Sequence, residues 1–404
     1  MNEHAFRAAG YDWRLHCGRR VIEQQLKQTV ERARAQRAFV VCSPSVNRRT
    51  DTVQRIAAAL GDRYAGVFDG IEKDSTLASV SAATRAAKDA GADLLIAAGG
   101  GSVIVATRAV AIFLAEPGSP FELMTQYPEG RPAYSPRLLA PKPPIVNIPT
   151  TPNSAVNRAG TGLKNPDLDH RMEYFDPRTR PAAIFLDEDA LLTAPQTLLR
   201  STATTVFAGL VGAMAQTAIN PLAEGDRNHA FRLAHRAYPR LVDEPDNPLL
   251  RIELCIAAFL QNRAEDDGAR RFRGGVFSGN YAVSTALHVR YPHVGQGEST
   301  SVVHAPRIRL ADTVDVQSAR QVAEALCVWR DGMDARQAAL AVADRLEALY
   351  ARIGVPTRLR QLDIPRDDLP NIAGETVKNF NANAGMRSPQ EQIAEALRLL
   401  EAAY

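Results

Sequence analysis

Two short stretches carry residue types suited to holding a phosphorylated ligand. The apolar run Leu94–Ala98 is followed at once by Gly99-Gly100-Gly101-Ser102, and then by an apolar helical pattern through Leu114. Glycines let a phosphate approach the backbone, and a following helix presents free N–H groups and the positive end of its dipole. Ser102 is expected to cap that helix and to offer a hydroxyl. No Gly-Lys-Ser/Thr follows, so the turn is not a Walker A loop, and its spacing is not GxGxxG. A tight strand-to-helix turn packed with small residues is the other reading. A second polar turn, Thr150-Thr151, follows the strand-like run Pro144–Ile148. Two such turns at the carboxyl ends of strands in one parallel sheet are where a dinucleotide lies.

Other reactive residue types are scattered. His4, His16, His170, His229, His235, His288, His293 and His304 form no HxH, no HExxH and no Asp/His pair at helical spacing. His229 and His235 stand six apart on a helical pattern, hence on different faces. Cys17, Cys42, Cys255 and Cys327 form no CxxC, so no disulfide framework is expected and a reducing, cytoplasmic compartment is. Arg271 and Arg273 precede Gly274-Gly275. They are either a carboxylate- or phosphate-binding pair or a solvated helix end.

The elements that must position these residues fall into two kinds. Ala38–Cys42, Ala65–Phe68, Leu94–Ala98, Pro144–Ile148 and Ala182–Leu186 read as strands, while Val53–Leu60 and Thr76–Ala90 read as helices. This alternation predicts a parallel sheet with helices on its faces. From Pro195 onward the patterns are helical, most plainly in Leu340–Ile353, and breakers fall at Asn220-Pro221, Asp243–Pro248, Pro292, Gly354–Pro356 and Pro365. Residues 1–194 are therefore expected to form an α/β dinucleotide-binding domain and residues 195–404 an all-helical one.

Composition narrows the class further. The 404 residues are 45% hydrophobic and 23% charged, with a formal charge of +3. Such a chain can fill real cores, and the small positive balance is no argument for nucleic acid. The polar start through Arg20 has no apolar signal-peptide core. The stretch Val103–Ala115 is interrupted by Arg108 and is too short to span a bilayer.

Several motifs, in this order, resemble the iron-containing (group III) alcohol dehydrogenase family, which includes maleylacetate reductases and is more distantly similar to dehydroquinate synthase. They are Phe68-Asp69-Gly70-Ile71 with Thr76-Leu77, Gly91-Ala92-Asp93, Gly99–Ser102, Ile148-Pro149-Thr150-Thr151, Asp176-Pro177 with Pro181, Leu186-Asp187, and Asp368-Leu369-Pro370 through Asn379–Arg387. The resemblance implies an α/β dinucleotide-binding domain, a helical domain and an active site between them. It also implies that Gly99, Gly100, Gly101 and Ser102 hold the pyrophosphate, and that Thr150, Thr151 and the nearby Asn153 belong to the second cofactor-contacting turn. Ser43 stands where many members carry an Asp for the adenosine ribose. With that carboxylate gone and Asn47, Arg48 and Arg49 just beyond, the expected cofactor is NAD(P), with NADP favoured.

Departures from the family are many. Its GGGSxxDxxK motif continues here with Val105 for the Asp and Arg108 for the Lys, and its Gly-Thr-Gly-Ser-Glu is Asn153–Asn157. The metal ligands, one Asp and three His, align with Ala208, Gly212, Ser284 and one of Gln296, Gly297 or Glu298. A catalytic metal takes about three protein ligands of N, O or S type, so no metal is expected. His288 aligns with a family His that lies near the nicotinamide. Without a Lewis acid, a positioned donor must meet the developing oxyanion. His288 is the first candidate and Tyr281 the second, with Ser284 as a hydrogen-bond donor and His293 as a further neighbour.

These readings leave three functions open. The first is a metal-independent NAD(P)-dependent alcohol dehydrogenase or carbonyl reductase. The second is an elimination or cyclisation in the same cleft, and the third a degenerate, non-catalytic partner protein. Metal-less branches among natural-product tailoring enzymes, including those of daptide-type peptide maturation, imply a specialised-metabolite or peptide-derived substrate. No nucleic-acid or membrane partner is expected, and the expected assembly is a homodimer.

Overall fold

A computed structural model describes residues 6–129, 131–267, 275–379 and 388–404. His4, Arg271, Arg273, Gly274 and the closing stretch 380–387 lie outside the described residues. The chain divides into two compact units, Tyr11–Pro195 and Gln196–Tyr404, and the described residues before Tyr11 group with the second.

The first unit is built on strands β1 (Arg14–Gly18), β2 (Ala38–Cys42), β3 (Tyr64–Phe68), β4 (Leu94–Gly99), β5 (Ile145–Pro149), β6 (Gly160–Leu163), β7 (Met172–Phe175) and β8 (Ala183–Asp187). Six of them form one sheet in the order β1-β8-β5-β4-β2-β3, and every neighbouring pair is parallel. Helices cover both faces: α1 (Val21–Arg32), α2 (Pro44–Arg49), α3 (Thr52–Leu60), α4 (Leu77–Asp89), α5 (Gly101–Ala115), α6 (Pro120–Leu123) and α7 (Glu188–Leu192). Alternate residues of a strand therefore enter different cores. Phe39, Val41, Leu95 and Ala97 pack with residues of α4 and α5, while Val40, Cys42, Leu94 and Ile96 pack with residues of α1 and α3. Burial on both faces is why the central strands read as unbroken apolar runs.

Strand order decides where a ligand can sit. The chain runs outward from β2 to β3, then returns to place β4 on the other side of β2. The crevice at the carboxyl ends of β2 and β4 is thus the topological switch point. Ser43 follows one of these strands and the glycine turn follows the other.

Two features of this unit leave no clear pattern in the sequence. β1 is an edge strand with one neighbour and partly exposed residues, so Arg14 and His16 are tolerated and the apolar run is lost. β6 and β7 form a separate antiparallel pair too short for alternation to register.

The second unit contains α8 (Gln196–Met214), α9 (Pro221–Ala237), α10 (Pro248–Asp266), α11 (Tyr281–Arg290), α12 (Gln296–Leu310), α13 (Val316–Ala325), α14 (Ala335–Ile353), α15 (Leu369–Gly374) and α16 (Pro389–Ala402), with no strand among the described residues. Two of the sequence's proline breaks are helix starts: Asn220 and Asn247 cap helices whose first residue is proline, and Ser388 caps α16 in the same way. Gly354, at φ 80°, ends α14 in the left-handed conformation. No helix among the described residues is long and apolar enough to cross a membrane.

One buried ion network ties the first unit together at the end of β8. Arg55 of α3 donates to both oxygens of Glu23 at 2.8 and 2.9 Å and to Asp187 at 3.0 Å. Asp187 is fully buried and also accepts from the backbone N–H of Ile22 and Ala190. Hydrogen bonds from Arg55 hold the Glu23 carboxyl at about 2, well below its ordinary 4.5. A depressed carboxyl stabilises the fold above its unfolded pKa, and that contribution is lost as pH falls through the folded value. Glu23→Gln is therefore expected to flatten the acid limb of stability between pH 4.5 and about 2, read as melting temperature across a pH series. Arg55→Met, which leaves Asp187 buried without its countercharge, should cost about 3–5 kcal/mol at neutral pH, measured by urea unfolding.

Candidate active site

The three glycines after β4 meet different demands. Gly99 has φ 157°, and a Cβ there would lie 2.7 Å from Val103 Cγ2, so both backbone and packing require glycine. Gly100 has φ −79° and ψ −169°, which any residue adopts, and a Cβ would meet only Thr151 Cγ2 at 3.4 Å. At Gly101 the nearest atom would be Asn153 Cβ at 3.7 Å, ordinary contact. The fold itself therefore does not require glycine at 100 and 101.

The second turn stands directly beside the first. Thr150 N–H donates to Gly99 O at 3.1 Å, and Thr150, Thr151 and Asn153 are all buried. Asn153 closes its own turn, donating to Thr151 O at 3.0 Å and accepting from Ala155 N–H at 3.1 Å. The sequence-predicted residues Gly99, Gly100, Gly101, Ser102, Thr150, Thr151 and Asn153 thus come together at the ends of β4 and β5.

Ser102 does not cap the helix. The N-cap position of α5 is Gly100, and Ser102 lies inside the first turn. Its hydroxyl instead accepts from Asp74 N–H at 3.1 Å, and its carbonyl accepts from the Ser75 hydroxyl at 2.7 Å. Asp74 and Ser75 are successive non-glycine residues at φ 63° and 55°, a strained conformation characteristic of functional loops. Nothing in the sequence patterning marks this strain.

Ser43 caps α2 by position at the end of β2, and its hydroxyl is 3.1 Å from that of Ser45. Arg48 Nε donates to Asp69 at 3.2 Å, and Asn47 donates to the same oxygen at 3.1 Å. The Asn47 hydrogen bond, with Arg48 beside it, holds the Asp69 carboxyl below its ordinary range. A carboxylate thus stands one strand farther out than the family's usual position, balancing the cation next to Ser43.

Arg108, at the family's Lys position, is buried and reaches the backbone. It donates to Gly160 O at 2.7 Å and to Ala155 O. Burial, with Arg158 and Arg180 nearby, pushes its pKa down to about 9. Its role in the fold is to hold the stretch from Ala155 to Gly160 against α5.

In the second unit the candidates Tyr281, Ser284 and His288 fall at i, i+3 and i+7 on α11, one stripe of the helix. His288 is buried, and its Nδ1 donates to Ser284 O at 2.8 Å. That bond places the proton on Nδ1 when the ring is neutral. The Ser284 hydroxyl contacts Ser299 at 2.8 Å and Thr300 at 3.0 Å, and both of these donate to Gln296 O. With three protons for these four contacts, every hydroxyl proton has an internal acceptor. Ser284 is therefore a bracket between α11 and α12 in this arrangement. Its partners Ser299 and Thr300 carry no spacing signal that would have singled them out.

The positions aligned with the family's metal ligands do not fit a metal. Ala208 offers a methyl group and Gly212 no side chain, and a Cβ at Gly212 would meet Ser278 Cβ at 3.0 Å. Gly297 packs on the Ser201 backbone, and Glu298 accepts from the Ser201 hydroxyl at 2.5 Å. No group of three or more His, Cys, Asp or Glu suited to a metal occurs among the described residues.

The other histidines have structural partners. His304 is fully buried between Phe277 O and the Tyr350 hydroxyl, and burial lowers its pKa to about 4. His293 donates to Leu362 O at 2.9 Å. His235 stacks on Phe231, and His229 contacts Arg232.

The family model described as iron-containing alcohol dehydrogenase matches residues 14–188, and that of the Fe-containing alcohol dehydrogenase family, C-terminal, matches residues 202–404. Maleylacetate reductase 2 of Cupriavidus pinatubonensis is 28% identical over 283 residues, 70% of this chain but only 66% of that protein. The 4-hydroxybutyrate dehydrogenase of Cupriavidus necator is 25% identical over 393 residues, 93% of this chain and 94% of that one. The solved structure of an alcohol dehydrogenase from Oenococcus oeni shares the fold, with a TM-score of 0.83 at 18% identity, covering 99% of this chain and 100% of the other.

The glycine geometry makes a direct test possible. Gly100→Val is expected to fold with a near-normal melting temperature yet weaken NADPH and NADH binding by tenfold or more, about 1.4 kcal/mol, in a nicotinamide fluorescence titration. Gly99→Ala should lower the melting temperature instead. Unchanged dinucleotide affinity in a folded Gly100→Val protein would take the turn out of the site.

Proposed function

This chain belongs to the iron-containing alcohol dehydrogenase family, and from that premise we propose that it is an NAD(P)-dependent alcohol dehydrogenase or carbonyl reductase that works without the family's metal. The observation that carries the cofactor half is the pair Gly100 and Gly101, whose missing side chains neither backbone nor packing explains. Gly99–Ser102, Thr150, Thr151 and Asn153 would hold the pyrophosphate, and Ser43 the adenosine ribose. With a hydroxyl rather than a carboxylate at the end of β2, NADP is the favoured cofactor. The bound nicotinamide supplies the hydride chemistry.

The protein's own part is proton management. In the reductive direction the carbonyl oxygen gains negative charge and needs a donor within hydrogen-bond reach. His288 as imidazolium donates from Nε2, while its Nδ1–H stays on Ser284 O. In the oxidative direction the neutral ring accepts the alcohol proton at the same nitrogen. Tyr281, on the same stripe of α11, is the alternative donor. The absence of nitrogen, oxygen or sulfur donors at 208 and 212 supports the metal-free half of the reading. The substrate proposed is a specialised-metabolite or peptide-derived carbonyl compound. The second reading, an elimination or cyclisation, draws on the same base and on the rewritten Asn153–Asn157 loop. It would show as turnover with no change in nicotinamide absorbance.

Two outcomes are expected. The purified protein should carry well under one equivalent of iron or zinc by mass spectrometry, and EDTA should leave its turnover intact. Stoichiometric metal with EDTA-sensitive activity would refute the metal-free half. His288→Ala should lower kcat by about 10²–10⁴, the range of a positioned acid–base group, with little change in NADPH affinity. A near-wild-type kcat would move the role to Tyr281, with Tyr281→Phe as the variant to measure.

A further inference from the structure

The motif Asp368-Leu369-Pro370 has no part in the chemistry above, yet its carboxylate gathers three side chains at the end of the helix that carries His288. Arg290 donates to Asp368 through Nε at 2.5 Å and through a terminal nitrogen at 2.8 Å, a bidentate fork. Its remaining nitrogen donates to Glu375 at 2.6 Å. The Tyr291 hydroxyl donates to the same Asp368 carboxylate, and Asn371 donates to it at 2.7 Å. These donors, the Arg290 fork first, hold the Asp368 carboxyl at about 2, so it is an anion throughout the working pH range.

This cluster matters because of how α11 is built. The helix has only ten residues and ends at Tyr291 in an extended conformation, with no left-handed glycine to close it. Helices this short are not stable alone. Val283 and Leu287 pack in one apolar cluster with Leu369, Ile372 and Ala373. Apolar packing supplies stability but little direction, whereas a bidentate fork fixes distance and rotation. The His288 ring, in turn, is hydrogen-bonded to the carbonyl of its own helix. Where the last turn of α11 goes, the imidazole goes.

We propose that Asp368 is a positioning residue for catalysis: through Arg290 and Tyr291 it fixes the last turn of α11, and so the placement of His288 Nε2. The inference rests on the role given to His288. It predicts that loosening the clamp costs turnover rather than cofactor binding, because displacing a catalytic group by a fraction of an ångström already penalises the chemical step.

The test is a double-mutant cycle on the full-length enzyme. Asp368→Asn and Arg290→Met should each lower kcat by about 10- to 100-fold, with KM for the carbonyl substrate and Kd for NADPH within about twofold. Arg290→Lys, which keeps the charge but not the fork, should recover only part of the loss. In a His288→Ala background, Asp368→Asn should produce no further fall in kcat, since the group it positions is gone. Should Asp368→Asn lower kcat by the same factor in both backgrounds, or leave it unchanged in the wild type, the positioning role is overturned while His288 keeps its own. If His288→Ala alone leaves kcat unchanged, the underlying reading fails first.

Discussion

The hydrogen bond from Thr150 N–H to Gly99 O is the constraint on which the nucleotide side of this molecule depends. It joins the last residue of β4 to the first residue beyond β5. Gly99 can make it only because its backbone lies where side chains are disfavoured, so its carbonyl still faces β5 while the chain turns into α5. From that bond follow the adjacency of the two turns, the contact of Gly100 with Thr151, and the closeness of Gly101 to Asn153. The parallel sheet sets which strands are neighbours, and this bond sets their ends in register.

Burial governs how much of this was legible in the sequence. β2, β4, β5 and β8 are covered on both faces, and each reads as an apolar run of about its true length. β1 is half solvated and β6 and β7 are four residues each, so none shows in the pattern. The glycine turn between β4 and α5 was legible, but Ser102 does not cap the helix as its spacing suggests. A side chain three residues past a strand can cap a helix or face a neighbouring loop, and sequence spacing does not separate these. Asp69, Asp74 and Ser75 take their importance from contacts made across the sheet ends, which no local pattern records.

The residues at the positions the sequence aligns with the family's metal ligands have packing roles of their own. Glycine and alanine at 212 and 208 let neighbouring backbone close in, so that Ser278 lies where a larger side chain at 212 would begin. Ser284, at another ligand position, is drawn into a hydroxyl cluster that braces α11 against α12. The same residues that cannot bind a cation therefore carry packing and alignment.

Asp74 and Ser75 hold successive left-handed conformations that cost on the order of 1–3 kcal/mol each, and both are fastened to the single residue Ser102. Ser102 also belongs to the glycine turn, so the strained pair and any occupant of the turn share one anchor. Linkage then works in both directions. An occupant that steadied Ser102 would steady the loop from Glu72 to Thr76, and the ordered loop would strengthen that occupant's binding by the same coupling free energy. Residues that never touch a ligand at this turn can in this way set its affinity.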